Sequence, residues 1–532
     1  MTKPSFALAA LLLGTAPTLA QNEQLHFLSR YTTGLGNASA EFAAFDAASS
    51  RMFCVNGANS SIDIVNLSNA ASPALVTRIS ISQLFSDAEA SAAPNSVAVS
   101  NGLIAVAIER KDPSGRHKQG RLAFFNASGA LIDVATTGFL PDMVTFSPDG
   151  RFALTANEGE PTGDYSFDAE GSVSIVDCTK VRLALANPSQ AASYALTAAD
   201  VKLATFGRFN SLSASLRNAG VRIYGPNATV AQDLEPEYIT VPQGSIYAYV
   251  TLQENNAVAM VNMLTGIVAR IMPLGFKDWS LSAFDASDRD TAINIRAWPV
   301  FGMYQPDAIV SFRVGTSNYF LTANEGDARD YSAFKEEKRV KDLSLDPTAF
   351  PNAASLKLEP NLGRLTVTDK LGDPDGDGDF DQLYTLGGRS FTIYRAGNSG
   401  TLTRIYDSGD QLEQLTAQLV PSRFNGDPVF DTRSDNKGPE PEGAAVGVVN
   451  GRTYAFVCLE RTNGVMMFDV SNPNAPVFRS YLNTSTFSGN SQSGDVAPEG
   501  LSFVSAAQSP SGNALILSAN EVSGTVAIYE VR

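Results

Sequence analysis

The chain has 532 residues, with 39 Lys and Arg against 55 Asp and Glu, so its formal net charge is −16 and its pI is about 4.7. This charge disfavours nucleic-acid binding, which needs a basic surface, and makes cations the more natural partners. Two histidines and three separated cysteines cannot form a multi-histidine or four-thiolate zinc site, so any metal must be held by oxygen. Cys54, Cys178 and Cys458 each lie in an apolar run and are expected to be buried small hydrophobic residues; the alternative is one internal disulfide, the most that three cysteines allow.

Residues 1–20 are predicted to be an export signal. Lys3 precedes a short apolar stretch at residues 6–13, and small residues at 18–20 suit cleavage before Gln21. The stretch is far shorter than the roughly 20 residues that span a bilayer. We therefore expect a secreted, extracellular or periplasmic protein with no membrane span, and we expect a monomer.

A repeated unit organises the rest of the chain. It has a Pro-acid step, an alternating apolar strand, a turn, a second strand ending in a carboxylate, and a third strand after a Gly-containing hairpin. The copies begin at Ala40, Pro94, Pro141, Pro236, Pro306, Pro441 and Pro498. Because period-2 strands recur with little helical periodicity, the sequence predicts an all-β fold, a seven-bladed β-propeller, as a single domain over residues 21–532.

Long insertions are predicted between these strands. Seven blades of about 42 residues need only roughly 300 residues, which leaves roughly 200 for loops. The predicted insertions are residues 179–232, 276–303 and 327–382, with short helices at 196–201 and 210–220 in the first.

Acidic side chains recur at two positions of the repeat. The Pro-acid step supplies Asp142, Glu237, Asp307, Glu442 and Glu499, and the end of the second strand supplies Glu109, Glu158, Glu254, Glu325, Glu460 and Glu521. In an antiparallel sheet these two positions lie at the same end, so the acids should circle the mouth of the central channel. Their repulsion is relieved by a bound cation or by raised pKa values, and hard oxygen ligands favour Ca²⁺, with Mg²⁺ or another divalent ion as alternatives. The other interpretation is that each acid only accepts backbone hydrogen bonds within its own blade.

The third insertion carries a sharper motif. Acids stand at alternate positions around Gly376, as in the calcium loop of an EF-hand: Asp373, Asp375, Asp377, Asp379 and Asp381. The twelfth position is Tyr384 instead of Glu, and flanking helices are not expected. The motif predicts a lone Ca²⁺ loop that pins the insertion; the alternative is a solvated acidic turn.

Five further residues are candidates for catalysis, because carboxylates interleaved with arginines can hold a metal and clamp a phosphate. They are Asp288, Arg289, Asp327, Arg329 and Arg433. The alternative is that they form salt bridges that fasten loops. The sequence contains no Walker A loop, Rossmann glycine fingerprint, H-E-x-x-H or G-x-S-x-G motif.

Residues 220–239, 285–290, 322–331 and 431–443 carry a family resemblance. Through them the chain resembles the choice-of-anchor I family, from about Phe42 to the C-terminus. The resemblance implies a secreted or surface-displayed β-propeller, often tethered by a C-terminal signal, whereas this chain ends directly after its last repeat. Two functions remain open: a calcium-binding extracellular protein that binds a partner or mediates adhesion, or a calcium-dependent phosphoester hydrolase of the alkaline phosphatase or phytase type. The second rests on analogy of fold.

Overall fold

Seven four-stranded antiparallel sheets make up most of this computed structural model, which describes residues 23–488 and 491–532. The predicted export signal at residues 1–20 lies outside the described residues. We number the sheets 1 to 7 by the chain order of their first strands.

Sheets 1 to 3 share the predicted arrangement of consecutive antiparallel strands. Sheet 1 consists of Ala43–Asp46, Arg51–Asn56, Ser61–Asn66 and Ala74–Ser80; sheet 2 of Ser91–Ser100, Leu103–Lys111, His117–Asn126 and Leu131–Phe139; and sheet 3 of Pro141–Phe146, Phe152–Asn157, Ser172–Asp177 and Val201–Thr205.

Sheets 4 to 7 repeat this order with two exceptions: the third insertion separates the second and third strands of sheet 5, and the fourth strand of sheet 7 comes from the N-terminal part of the chain. Sheet 4 consists of Pro236–Thr240, Tyr247–Leu252, Ala257–Asn262 and Ile267–Pro273; sheet 5 of Ile309–Val314, Ser317–Asn324, Ser390–Ala396 and Leu402–Asp407; sheet 6 of Pro441–Val449, Arg452–Leu459, Val465–Asp469 and Val477–Leu482; and sheet 7 of Pro498–Val504, Ala514–Asn520, Thr525–Val531 and Leu25–Thr32.

An apolar layer lies between every two neighbouring sheets, including sheets 7 and 1. Phe53 of sheet 1 and Ile104 of sheet 2 belong to one such layer, and Leu517 of sheet 7 and Met52 of sheet 1 belong to another. The second strands are buried on both faces, as in Phe152–Asn157, because each is covered by both neighbouring sheets. The first strands also contact one another in cyclic order from sheet 1 through sheet 7 and back to sheet 1.

A β-bulge marks the start of the first strand in several sheets. In sheet 3 the pairing shifts between Pro141 and Val144, and the same shift follows Pro236, Pro441 and Pro498 in sheets 4, 6 and 7. Since a bulge places two residues opposite one, it changes the direction of a side chain there. The acid that follows each proline lies inside this bulge.

The first predicted insertion needs correction. Within residues 179–232, Val201–Thr205 is the fourth strand of sheet 3, so the segment is not one continuous insertion. One of the five residues of this outer strand, Ala204, is buried, so the strand carries little signal of burial. On either side of it the chain forms short helices, including Thr179–Ala186, Ser213–Ala219 and Val230–Asp233.

The second and third predicted insertions fold together. Their segments form a five-stranded sheet in the order Phe276–Asp278, Phe301–Met303, Tyr384–Thr385, Thr366–Thr368 and Glu337–Arg339. Beside it lies a separate apolar core that includes Trp279, Phe284, Trp298, Phe350 and Leu362. The two insertions are therefore one small structural unit attached to sheets 4 and 5.

The remaining elements are short. The other α-helices are Ile81–Phe85, Ala353–Leu356 and Gln411–Leu419; the 3-10 helices are Gly57–Asn59, Pro188–Tyr194, Ala198–Asp200, Gly207–Leu212, Val340–Asp342 and Pro421–Arg423; Glu359–Gly363 is a π-type turn; and two small hairpins pair Asp330–Tyr331 with Phe334–Lys335 and Thr486–Ser488 with Ser491–Ser493. Within the described ranges no helix is both long enough and apolar enough to cross a membrane. All three cysteines are buried free thiols.

Candidate functional site at the acidic end of the sheets

Three carboxylates from sheets 3 and 4 meet at the end where the first strands begin, which we call the acidic end. Asp142 and Glu237 lie in the bulges of the two first strands, and Glu158 directly follows the second strand of sheet 3. Pro141 pairs with Asn157, so Asp142 and Glu158, which directly follow these two residues, lie at the same end of sheet 3. Each of the three offers an oxygen within 4.8 Å of the others. We call this set the first carboxylate group.

The first carboxylate group has no cation of its own in residues 23–488 and 491–532. None of its three side chains forms an ion pair or receives a side-chain hydrogen bond there. Burial, and then the charge of Glu109, raises the pKa of Asp142 to about 7. Burial raises the pKa values of Glu158 and Glu237 well above the ordinary value, and neighbouring carboxylates add to the shift. The group therefore concentrates oxygen ligands whose mutual repulsion no ion pair of the described residues relieves.

Glu254, at the end of the second strand of sheet 4, adds a fourth carboxylate to this side. It is 9% exposed, and its Oε2 atom is buried without a hydrogen-bond partner. Burial raises its pKa to about 7, and its charge in turn raises the pKa values of Glu158 and Glu237. A buried, unpartnered carboxylate oxygen costs free energy unless a ligand or proton satisfies it.

A second set of carboxylates, from sheets 5 and 6, has the same spacing. Glu325, Glu442 and Glu460 each offer an oxygen within 4.8 Å of the others, and we call them the second carboxylate group. Here cations are present: Lys437 Nζ lies 2.5 Å from Glu325 Oε1, and Arg461 Nη1 lies 2.8 Å from Glu460 Oε1. The two groups are alike in ligands but differ in counter-ions.

The other predicted channel-mouth acids lie outside these two groups of three. Burial raises the pKa values of Asp307 and Glu499 well above the ordinary range, and Glu521 contributes to the shift at Glu499. Glu41 is a further acid at this end that was not among the predicted ones; burial and then Glu521 raise its pKa to about 8. The first copy of the repeat begins at Ala40 instead of a proline, and Glu41 directly follows it. Glu41 therefore occupies the acidic position of the Pro-acid step, and this position is the signal in the sequence that could have identified it.

Backbone strain recurs at the acidic end. The residue before the proline has a positive φ in sheets 3, 5, 6 and 7: 49° at Leu140, 41° at Gln305, 52° at Glu440 and 56° at Ala497. A left-handed conformation is unfavourable for residues other than glycine, and such strain tends to collect at functional sites. Its repetition indicates that these turns are held in place to position the acids that follow.

The Asp373 loop forms a third group of carboxylates. Asp373, Asp375 and Asp381 offer oxygens within 4.8 Å of one another, whereas Asp377 and Asp379 are not part of this set. Asp373 accepts hydrogen bonds from the backbone N–H groups of Gly376 and Gly378 at 2.7 and 3.1 Å, so the chain already turns around this carboxylate. Both glycines have positive φ, 75° and 97°, which a side chain would oppose.

The choice-of-anchor I domain matches residues 41–473, which is most of the chain. The chain belongs to the choice-of-anchor I family. It is 30% identical over 293 residues to a mesenchyme-specific cell surface glycoprotein of Strongylocentrotus purpuratus. The match covers 48% of this chain and 37% of that protein. It is 32% identical over 195 residues to Gigasin-3a of Magallana gigas, which covers 34% of this chain and 67% of that protein. The chain thus spans a little over a third of the first relative's length.

Solved structures similar to this choice-of-anchor I chain include two propeller-type domains. The β-propeller domain of Cps50 (Swd1) from Myceliophteria thermophila has a TM-score of 0.44 and 8% identity, with 93% of this chain and 97% of that chain covered. The Pan2 WD40 domain from Neurospora crassa has a TM-score of 0.40 and 7% identity, with 96% of each chain covered. At these TM-scores the likeness carries no argument about function.

Arg329, a catalytic candidate in one of the segments that carry the family resemblance, is fully engaged within the protein. It is 2% exposed, and its guanidinium lies 2.5 Å from Asp233 Oδ1 and 3.1 Å from Glu235 Oε2. It also donates to the Asp233 carbonyl at 2.7 Å and stacks on Tyr224 at 4.5 Å. The contacts of Arg329 favour its interpretation as a link between the first and third insertions.

The candidates Asp288 and Arg289 lie in a different ion-pair network. Asp288 accepts a hydrogen bond from Arg364 Nε at 2.7 Å, and Arg289 is half-exposed, 3.5 Å from Asp288. Arg364 also reaches Asp435 at 2.8 Å, which ties this network to the loop before sheet 6.

Asp327 and Arg433 lie beside the second carboxylate group. Arg433 Nη2 is 2.6 Å from Glu440, and Asp327, which is largely exposed, is 3.8 Å from Lys437. The five catalytic candidates are therefore divided among three networks of ion pairs. Lys437 and Glu440 were not predicted as site residues, because a lysine and a glutamate in a polar loop carry no signal of burial.

Proposed function

We propose that this chain is an extracellular, calcium-binding, seven-bladed β-propeller whose role is to bind a partner or to mediate adhesion. One observation carries the proposal: Asp142, Glu158 and Glu237 present convergent oxygens, and no cationic side chain of the described residues pairs with them. The surface location is supported by the family and by the name of the relative from Strongylocentrotus purpuratus, a cell surface glycoprotein.

Closure into seven blades is supported by the seven sheets and their shared apolar layers. The layer between sheets 7 and 1 is built like the others, from residues such as Met52 and Leu517. Radial repetition leaves each blade only one short outer edge, which limits edge-to-edge association. We therefore treat the acidic end as the mouth of a central channel.

Calcium is the ion that suits the first carboxylate group. Ca²⁺ takes six to eight oxygen ligands in a flexible geometry, and three carboxylates with adjacent Glu254 provide anionic oxygens without nitrogen or sulfur. The ion would relieve the repulsion that raises the pKa values of these groups. Asp373, Asp375 and Asp381 are proposed to hold a second Ca²⁺ that pins the third insertion, because the backbone of that loop is already turned around Asp373.

The alternative is a calcium-dependent phosphoester hydrolase. It needs an arginine free to clamp phosphate near the metal, but Arg329 and Arg433 are each bonded to carboxylates. No specific observation favours this alternative over partner binding. Its test is the hydrolysis of p-nitrophenyl phosphate with and without chelator, between about pH 6 and pH 10.

Calorimetric titration with Ca²⁺ tests the proposal directly. We expect two bound equivalents and a rise in melting temperature that follows the ligand concentration. Glu158→Gln should remove one equivalent, and Asp375→Asn with Asp377→Asn should remove the other. Glu89→Gln, the same change at an exposed acid outside both sites, should retain both. Unchanged binding in Glu158→Gln would exclude the first carboxylate group as the site.

A further inference from the structure

The two carboxylate groups at the acidic end are equivalent in ligand type and spacing but not in charge. Each has three carboxylates within 4.8 Å of one another. In the first group no residue of the described chain supplies a cation, whereas in the second Glu325 and Glu460 each have one. Two similar sites in a repeated fold therefore differ in whether cationic side chains pair with their carboxylates.

Lys437 is the main source of this difference. Its side chain is 10% exposed, and its ammonium lies 2.5 Å from Glu325, 3.3 Å from Glu440 and 3.8 Å from Asp327. Although burial alone lowers the pKa of a lysine, these carboxylates raise that of Lys437 well above its ordinary value, so the ammonium stays charged.

Arg461 supports the same balance from the other side of the group. Besides its 2.8 Å contact with Glu460, its guanidinium lies 3.3 Å from Glu440 and 3.6 Å from Asp427. Among the described residues Glu442 has no ion-pair partner, unlike Glu325 and Glu460, and its Oε2 atom is buried there without a hydrogen-bond partner. Two of the three charges that a divalent ion would neutralise are thus already compensated.

The segment that delivers Lys437 is held rigidly. Arg389, which is 1% exposed, donates to the carbonyl oxygens of Ser434 at 2.8 Å and Asn436 at 2.6 Å. Gly438 has a φ of 69°, and a Cβ atom there would lie about 3.0 Å from Arg389 Nη1, so the backbone packs closely against that side chain. The packed backbone therefore fixes the position of the Lys437 ammonium, so the side chain does not move away to admit a metal ion.

We infer that Lys437, with Arg461, is the resident cation of the second carboxylate group, and that the acidic end binds a single divalent ion, in the first group alone. A metal ion among Glu325, Glu442 and Glu460 would be repelled by an ammonium in contact with one of its own ligands. The inference rests on the proposed function, because it assigns the proposed mouth calcium to one half of the acidic end.

The test counts calcium equivalents in the Asp375→Asn, Asp377→Asn background, which removes the loop site. We expect one equivalent in this parent. Glu158→Gln should weaken it at least about tenfold, whereas Glu460→Gln, the same change in the second group, should alter it less than about threefold. Lys437→Met should add a second equivalent, and Lys335→Met, which removes an exposed ion pair with Asp330, should not.

The outcomes separate the inference from the proposed function. Two equivalents in the parent, or a larger loss from Glu460→Gln than from Glu158→Gln, would overturn the inference while leaving a calcium-binding protein. If the parent binds no calcium, the proposed mouth site fails. In that case Lys437→Met still tests the role of Lys437: a gained equivalent of calcium supports that role, and the absence of a gained equivalent refutes it. Should Lys437→Met not fold, the comparison of Glu158→Gln with Glu460→Gln in the folded parent decides alone.

Discussion

Single carboxyl groups at the acidic end have higher pKa values than the same side chains have in water. Burial is the first cause, raising the pKa of Asp142 to about 7 and that of Glu41 to about 8, and neighbouring carboxylates add to both shifts. In the unfolded chain these carboxyl groups titrate near their ordinary values of about 4. The folded protein therefore binds more protons than the unfolded chain between roughly pH 4 and pH 8.

This difference predicts that the free energy of unfolding of the calcium-free protein falls as pH rises from about 5 to about 8, because stability decreases wherever the folded state binds more protons. Urea unfolding in the presence of a chelator at both pH values measures it. Asp142→Asn with Glu41→Gln should flatten the dependence, since amides do not titrate. A calcium-free protein that becomes more stable over this range would contradict the assignment.

Saturating calcium should cancel that trend, because the ion-bound carboxylates are deprotonated as they are in the unfolded chain. An ion in the first carboxylate group displaces the protons of Asp142, Glu158 and Glu237, so its affinity should rise by about tenfold per pH unit for each proton displaced. Calcium titrations at pH 6, 7 and 8 measure the slope. Glu158→Gln should lower it, and an affinity that does not change with pH would place the ion elsewhere.

Among the structural elements, the insertions are fastened by buried ion pairs. Arg222 of the first insertion and Glu336 of the third are 4% and 0% exposed, and Arg222 donates a hydrogen bond to Glu336. Tyr224 donates a second bond to Glu336 at 2.7 Å. Although burial alone raises the pKa of Glu336, the Arg222 charge and these hydrogen bonds hold it below its ordinary value. The pair therefore joins two insertions that are far apart in sequence.

Removing one partner should cost more than removing both. Arg222→Met leaves the Glu336 charge buried and unpaired, and we expect a loss of about 3–5 kcal/mol in the free energy of unfolding. The double variant Arg222→Met, Glu336→Gln should lose less, because no charge is stranded. Denaturant unfolding of both single variants and the double variant gives the coupling energy; additive losses would show that the pair does not act as a unit.

What the sequence could predict depends on how local each signal is. The first and second strands of a sheet are adjacent in sequence and alternate with period 2, so the repeat located them and the acids at their ends. The five-stranded sheet was not predictable, since strands of two or three residues such as Tyr384–Thr385 pair with partners far away. Lys437 was missed for the same reason: its burial comes from contacts with Glu325, 112 residues away.

At the scale of the whole molecule, one strand joins the two ends of the chain. Leu25–Thr32 pairs with Thr525–Val531 as the outer strand of sheet 7, and Gln24 and Arg532 exchange backbone hydrogen bonds at its end. The strand also reaches both neighbouring sheets, because Tyr31 donates to Asp63 of sheet 1 at 2.5 Å and the Leu25 N–H donates to Ser480 of sheet 6 at 3.1 Å. Sheet 7 is thus completed by both ends of the chain.

A variant that begins at residue 33, and therefore lacks the eight-residue strand Leu25–Thr32, should be destabilised. Its deletion leaves Thr525–Val531 as an unpaired edge, which favours association between copies, and it removes apolar contacts of Leu25 and Tyr31 with two core layers. We expect a lower melting temperature and concentration-dependent aggregation by light scattering. A synthetic peptide of residues 25–32 should restore the melting temperature, whereas a scrambled peptide of the same composition should not. Full stability of the truncated chain without the peptide would show that the N-terminal strand is dispensable for joining sheets 6, 7 and 1.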